Sequence, residues 1–112
     1  MVGTERKYWH PDIETMPLDE LKKLQGERLA ASVTRAYEKS PFYRKRFDAA
    51  GVKPSDIRTV EDVAKLPLLD DGEFRAVPVR ERLTVPFSEV RKFCSSGGTT
   101  GVPSPLPRIQ DD

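Results

Sequence analysis

Ten prolines cut this 112-residue chain into short segments and limit how much regular structure it can build. One long helix still fits, over residues 17–39. Pro17 suits a first turn, with Thr15 or Met16 near the N-cap. Asp19 and Glu20 favour the positive helix end. Leu21, Leu24, Leu29, Val33, Ala36 and Tyr37 then recur at roughly helical spacing, as one core-facing stripe. Gly26 interrupts this helix at a cost of about 1 kcal/mol relative to alanine. Ser40 and Pro41 open a second helix, running to about residue 50, with Gly51 as a left-handed terminator. Phe42, Tyr43 and Phe47 give it an aromatic face. Residues 53–56 form a turn. Residues 59–65 form a short third helix, where Thr59 and Asp62 make a variant capping box. Asp70 or Asp71 caps a turn through residues 73–75, and residues 76–88 are irregular.

Residues 1–16 read as an extended arm, whose apolar anchors Tyr8, Trp9 and Ile13 fold back on the chain's own helices. Residues 17–88 read as a helix-rich subdomain. Residues 89–112 read as one strand, over residues 90–94, followed by a small-residue loop and a tail. The chain is thus mainly α with little β. With 37% hydrophobic residues it is slightly apolar-poor even when its seven glycines are counted. The expectation is a thin core with apolar surface left for a partner to cover.

Lys and Arg total 19 against 18 Asp and Glu, a net charge of +1 that argues against nucleic-acid binding. The basic run Arg44, Lys45, Arg46 reads as the solvated face of a helix. Cys94 is the single cysteine and reads as a small buried hydrophobe. No spacing of ligand residues suggests a metal site. No apolar run is long enough for a signal peptide or a membrane span, which makes the cytoplasm the expected compartment, with no membrane partner.

The residues that carry chemistry are Ser95, Ser96, Gly97, Gly98, Thr99, Thr100 and Gly101. Their glycines permit close backbone approach to a ligand, successive N–H groups can form an anion nest, and four hydroxyls add donors. Such a run can wrap a phosphate chain, or it can serve as a flexible linker.

The strand before this run, and Pro103 two residues after Gly101, resemble the phosphate-binding signature of adenylate-forming enzymes: strand, then Ser-Ser-Gly-Thr-Thr-Gly, a variable residue and Pro. Other blocks narrow the resemblance to the phenylacetate–CoA ligase family. These are residues 8–14 (Tyr-Trp-His-Pro-Asp-Ile-Glu), residues 21–29, residues 37–47 (Tyr-Glu-Lys-Ser-Pro-Phe-Tyr-Arg-Lys-Arg-Phe), residues 50–52 and residues 57–67. The resemblance covers about residues 7–107, and implies the fold of the N-terminal part of the large α/β adenylation domain. Two features depart from the family pattern. Gly97 and Gly98 occupy a single-glycine position, and Val102 stands where many members carry lysine.

By resemblance, residues 95–101 would hold the β- and γ-phosphates of ATP, with Mg as its companion ion and CoA as co-substrate. The family's chains are several times longer. Their remainder carries the aryl pocket, the CoA site and the catalytic lysine, so no catalytic residue is expected here. The chain is expected to act as the N-terminal fragment of an aryl-acid CoA ligase and to be inactive alone. The alternative is a stand-alone interaction or oligomerisation module derived from one. The expected partner is the remainder of a ligase chain or a second copy. Without the family's neighbouring strands, the last 20 or so residues should be poorly held, or held by that second copy.

Overall fold

Most helical elements start at or just after a proline, because a fixed φ near −65° opens a turn as readily as it blocks one. The computed structural model describes residues 7–95 and 105–109. Its elements are the single turn α1 (Pro11–Glu14), the long α2 (Leu18–Lys39), α3 (Pro41–Ala49), α4 (Asp71–Arg75), α5 (Val79–Arg82), and strands β1 (Lys92–Ser95) and β2 (Pro105–Arg108). Three 3₁₀ segments punctuate them: Pro54–Asp56, Val60–Lys65 and Phe87–Glu89. The chain is mainly α with little β, as its sequence indicates.

The helix α2 begins one residue later than the sequence suggests, with Pro17 itself at the cap position. Ser40 caps α3, and Gly51 closes it at φ +69°. Residues 76–88, expected to be irregular, instead hold α5 and the segment Phe87–Glu89, opened by Pro78 and Pro86 at φ −54° and −58°.

The core is small. Val33 from α2, Phe47 from α3, Val52 and Ile57 form one buried cluster, flanked by Leu29, Ala36, Tyr37, Tyr43 and Leu66. Tyr37 and Phe47 stack at 6.4 Å with nearly parallel rings. The radius of gyration, 17.8 Å, exceeds the about 13 Å of a compact domain of this size. Large apolar side chains stand open, among them Leu18, Leu68 (93% exposed) and Phe93.

Three side chains depart from expectation. Trp9 is 72% exposed rather than folded onto the helices, because Pro11 starts a local turn whose N–H groups bond back to His10. Cys94 is exposed rather than buried, because β1 lies in a two-stranded sheet with little packed on it. The basic run is more than a solvated face. Arg44 lies over the Tyr37 ring at 5.3 Å and donates to the Tyr37 and Glu38 carbonyls, while Arg46 donates to the Leu68 carbonyl and pairs with Glu73 at 2.9 Å.

Gly26 faces the 3₁₀ segment. A Cβ there would lie 3.2 Å from the Arg58 carbonyl oxygen and 3.2 Å from the Thr59 Cα. The glycine therefore lets α2 approach backbone directly. That segment is held by Asp62, whose carboxylate accepts the N–H groups of Arg58 (2.9 Å) and Thr59 (3.0 Å) and pairs with Lys65 at 2.9 Å. Replacing Gly26 by alanine should therefore forgo the about 1 kcal/mol of helix propensity it would otherwise gain, and valine should destabilise outright. Thermal melts of both variants check this, and a raised Tm in either would refute the close-approach account.

The Lys65 ammonium first, and then the Arg58 and Thr59 N–H groups, hold the Asp62 carboxyl well below the usual carboxylate range. A depressed folded value means the stabilisation is present above the unfolded value, about pH 4, and is lost as pH falls below it. Asp62→Asn should flatten the acid-side decline of Tm, read from melts between about pH 5 and pH 2.5.

Candidate functional site: two strands flanking the Ser/Thr/Gly run

The candidate site is built on β1 and β2. They pair antiparallel, with Lys92 opposite Arg108, Phe93 opposite Pro107, Cys94 opposite Leu106 and Ser95 opposite Pro105. Strand β2 is the element that sequence reasoning missed. Two prolines in four residues argue against a strand, since proline donates nothing to a ladder. Their placement removes the objection. The Arg108 carbonyl faces β1 and accepts the Arg91 N–H at 2.8 Å. Period-two alternation then turns Leu106 toward β1 as well, and Pro105 and Pro107 toward the free edge, where no ladder donor is lost. The one available signal was apolar Leu106 between prolines, followed by Arg108 and Ile109. The expectation that β1 would lack a partner within the chain is thereby corrected, because β2 supplies the antiparallel partner.

Of the seven site residues, Ser95 is described and stands exposed at the end of β1. Ser96, Gly97, Gly98, Thr99, Thr100 and Gly101 lie outside the described residues, as does Val102. The hairpin holds both flanks of the run, because Ser95 and Pro105 are paired directly across the ladder.

Aromatic and cationic contacts seat this hairpin on the helices. Phe93 of β1 meets Phe87 at 6.0 Å, and Arg80 of α5 lies 4.2 Å over the Phe87 ring. The helix α5 is fastened in turn by the Ser40 hydroxyl, which donates to the Glu81 carbonyl at 3.0 Å. Arg82 lies 4.0 Å over Phe74 of α4, and Arg35 of α2 donates to the Thr84 hydroxyl at 3.2 Å.

Among the described residues, no group of three or more His, Cys, Asp or Glu could hold a metal ion. No helix among them is long and apolar enough to cross a membrane. With Cys94 exposed on β1, its thiol should react to completion with a water-soluble disulfide reagent in the folded chain, at a rate within about tenfold of a free thiol. Labelling that needed denaturant would contradict the open sheet face.

No protein-family model matches the chain. Individual proteins do. The chain is 40% identical over 100 residues to the phenylacetate–coenzyme A ligase of Escherichia coli K12, covering 89% of this chain and 23% of that one. It is 45% identical over 92 residues to the phenylacetate–coenzyme A ligase of Aromatoleum evansii, covering 82% of this chain and 21% of the relative. Among solved structures it superposes on 2-hydroxyisobutyryl-CoA ligase in complex with 2-HIB-AMP and CoA. The TM-score is 0.83 at 31% identity, over 98% of this chain and 24% of that one. The chain therefore spans about a quarter of the length of the proteins it matches.

Proposed function

Because the chain belongs to the phenylacetate–coenzyme A ligase family and matches about a quarter of its relatives' length, we propose that it contributes the ATP phosphate-binding loop of an ATP-dependent aryl-acid CoA ligase and is inactive alone. The observation that carries this is the hairpin. It ties both flanks of a Ser/Thr/Gly run in a fold shared with a CoA ligase whose structure contains an adenylate and CoA.

In the proposed reaction the carboxylate of a phenylacetate-type acid attacks the α-phosphorus of MgATP, and pyrophosphate leaves. The acyl-adenylate then yields its acyl group to the CoA thiol, with release of AMP. The part assigned to this chain is electrostatic. Charge builds on the departing β- and γ-phosphates, and fixed N–H and hydroxyl donors from Ser95, Ser96, Thr99, Thr100 and Gly101 stabilise it. Gly97 and Gly98 permit the backbone to come close. With Val102 in the lysine position, phosphate binding rests on neutral donors. Mg enters as the companion of the ATP phosphates.

A second reading has its own observation. Leu68 at 93%, Leu18 at 67% and Phe93 at 53% exposure form open apolar surface that a stand-alone chain would cover by pairing with another copy. Sedimentation velocity at several concentrations separates the two, since a module of this kind would show a concentration-dependent dimer.

The principal test has two arms. Amide signals of residues 95–101 should shift on addition of millimolar MgATP, and the pure chain should form no thioester from phenylacetate, MgATP and CoA. In a full-length ligase carrying this segment, Ser95→Ala with Thr99→Ala should lower kcat/KM for ATP by about tenfold or more. An unmoved loop spectrum would sink the phosphate-loop assignment. Turnover by the isolated chain would sink its inactivity.

A further inference from the structure

Strand β1 is exposed along all four of its residues, and a two-stranded ribbon is marginal by itself. Its direction therefore depends on contacts made at its base. One of these is a pair of rings. Phe93 of β1 lies 6.0 Å from Phe87 at an interplanar angle of 44°, the separation of a favourable aromatic pair. Arg80 of α5 lies 4.2 Å over the Phe87 ring, inside cation–π range. These three side chains join α5, the turn at residues 87–89 and β1 in one stack.

Each member of the stack is held by its own backbone. The Glu89 N–H donates to the Pro86 carbonyl at 2.9 Å and the Val90 N–H to the Phe87 carbonyl at 3.1 Å, which closes the turn directly before the strand. The Arg91 N–H then donates to the Arg108 carbonyl at 2.8 Å. Arg80 is carried by α5, which the Ser40 hydroxyl fastens through the Glu81 carbonyl at 3.0 Å. Alternation along a strand puts Phe93 and Ser95 on one face, about 7 Å apart. Across the ladder from them stand Pro107 and Pro105, which have no N–H to donate. The ring contact ties this face of β1 to the helices.

We propose that Phe87, backed by Arg80, is a positioning residue for Ser95. Its contact with Phe93 sets the direction in which the end of β1 presents the Ser95 hydroxyl to phosphate. The inference rests on the phosphate-binding reading of Ser95, and adds to it a residue that acts through the strand rather than on the phosphate itself.

MgATP is the probe, titrated into the full chain while the Ser95 amide is followed by NMR, at a temperature where melts show every variant fully folded. Phe87→Ala should raise the MgATP midpoint about tenfold, and Arg80→Gln, at an exposed position, about threefold. Phe87→Tyr, which keeps the ring, should hold the parent midpoint, whereas Phe87→Leu should not. A purely structural role would leave the midpoint of a fully folded variant unmoved. In a Ser95→Ala background, Phe87→Ala should change the midpoint by less than about twofold, because the group it positions is gone. Should Phe87→Ala fail to fold, Arg80→Gln in both backgrounds carries the same comparison. Unmoved midpoints in these variants would overturn the role and leave the phosphate-loop reading intact. So would a loss that persists in full without the Ser95 hydroxyl. A parent chain whose Ser95 amide ignores MgATP would overturn both readings, and the parent titration alone reveals that outcome.

Discussion

The hydroxyl of Ser40 links α2, α3 and α5. It is 1% exposed and lies at the junction of α2 and α3. Its oxygen accepts the Tyr43 N–H at a long 3.5 Å, capping α3, and its proton goes to the Glu81 carbonyl at 3.0 Å. A buried hydroxyl must spend both capacities or incur a desolvation penalty, so this one residue sets where α3 starts and where α5 lies. The position of α5 matters beyond its four residues. Arg80 supports Phe87 and, through it, Phe93 of β1, while Arg82 lies against Phe74. The hairpin that flanks the Ser/Thr/Gly run is therefore connected to the core by a short relay of polar and aromatic contacts rather than by a continuous apolar layer.

That relay explains how a thin core can still carry an ordered pair of strands. Among the described residues only Val33, Phe42, Phe47, Val52 and Ile57 are buried hydrophobics, and the apolar side chains Leu18, Leu68 and Phe93 face outward. Arginines fill part of the gap. Arg44 and Arg46 tie α3 to α2, to the Leu68 carbonyl and to Glu73, using planar guanidinium groups that stack on rings and donate to carbonyls at once. A fold held this way has apolar faces to spare. In the ligase reading they are where the rest of a longer polypeptide would pack.

Local features were legible where the residues themselves hold the structural information. The Ser40 cap, the αL position of Gly51 and the Asp70 and Asp62 caps all depend on residues within four positions of one another, and each formed as its spacing implies. The chemical character of residues 95–101 was likewise readable, because glycines and hydroxyls advertise anion contact whatever surrounds them. The likeness to CoA ligases extends along most of the chain, at 40% identity over 89% of it in one relative and 45% over 82% in another.

What the sequence by itself determined, then, is α2, α3 and the short helical segments at residues 60–65 and 71–75, with the Ser40, Asp62 and Asp70 caps, and the small-residue run. The tertiary structure alone decided the meaning of several residues whose local reading pointed elsewhere. Gly26 reads as a defect in a helix until the Arg58 and Thr59 backbone is seen 3.2 Å from where a side chain would begin. Pro105 and Pro107 read as strand breakers until β1 fixes which edge they face. Cys94 and Trp9 read as buried until the sheet proves two strands wide and the arm turns on itself. The meeting of Arg80, Phe87 and Phe93 in one stack has no trace in their spacing at all. The physical reason is common to these cases. Caps and turns are settled by bonds between near neighbours, whereas burial, strand edges and side-chain stacks are settled by which distant segments come to lie against one another.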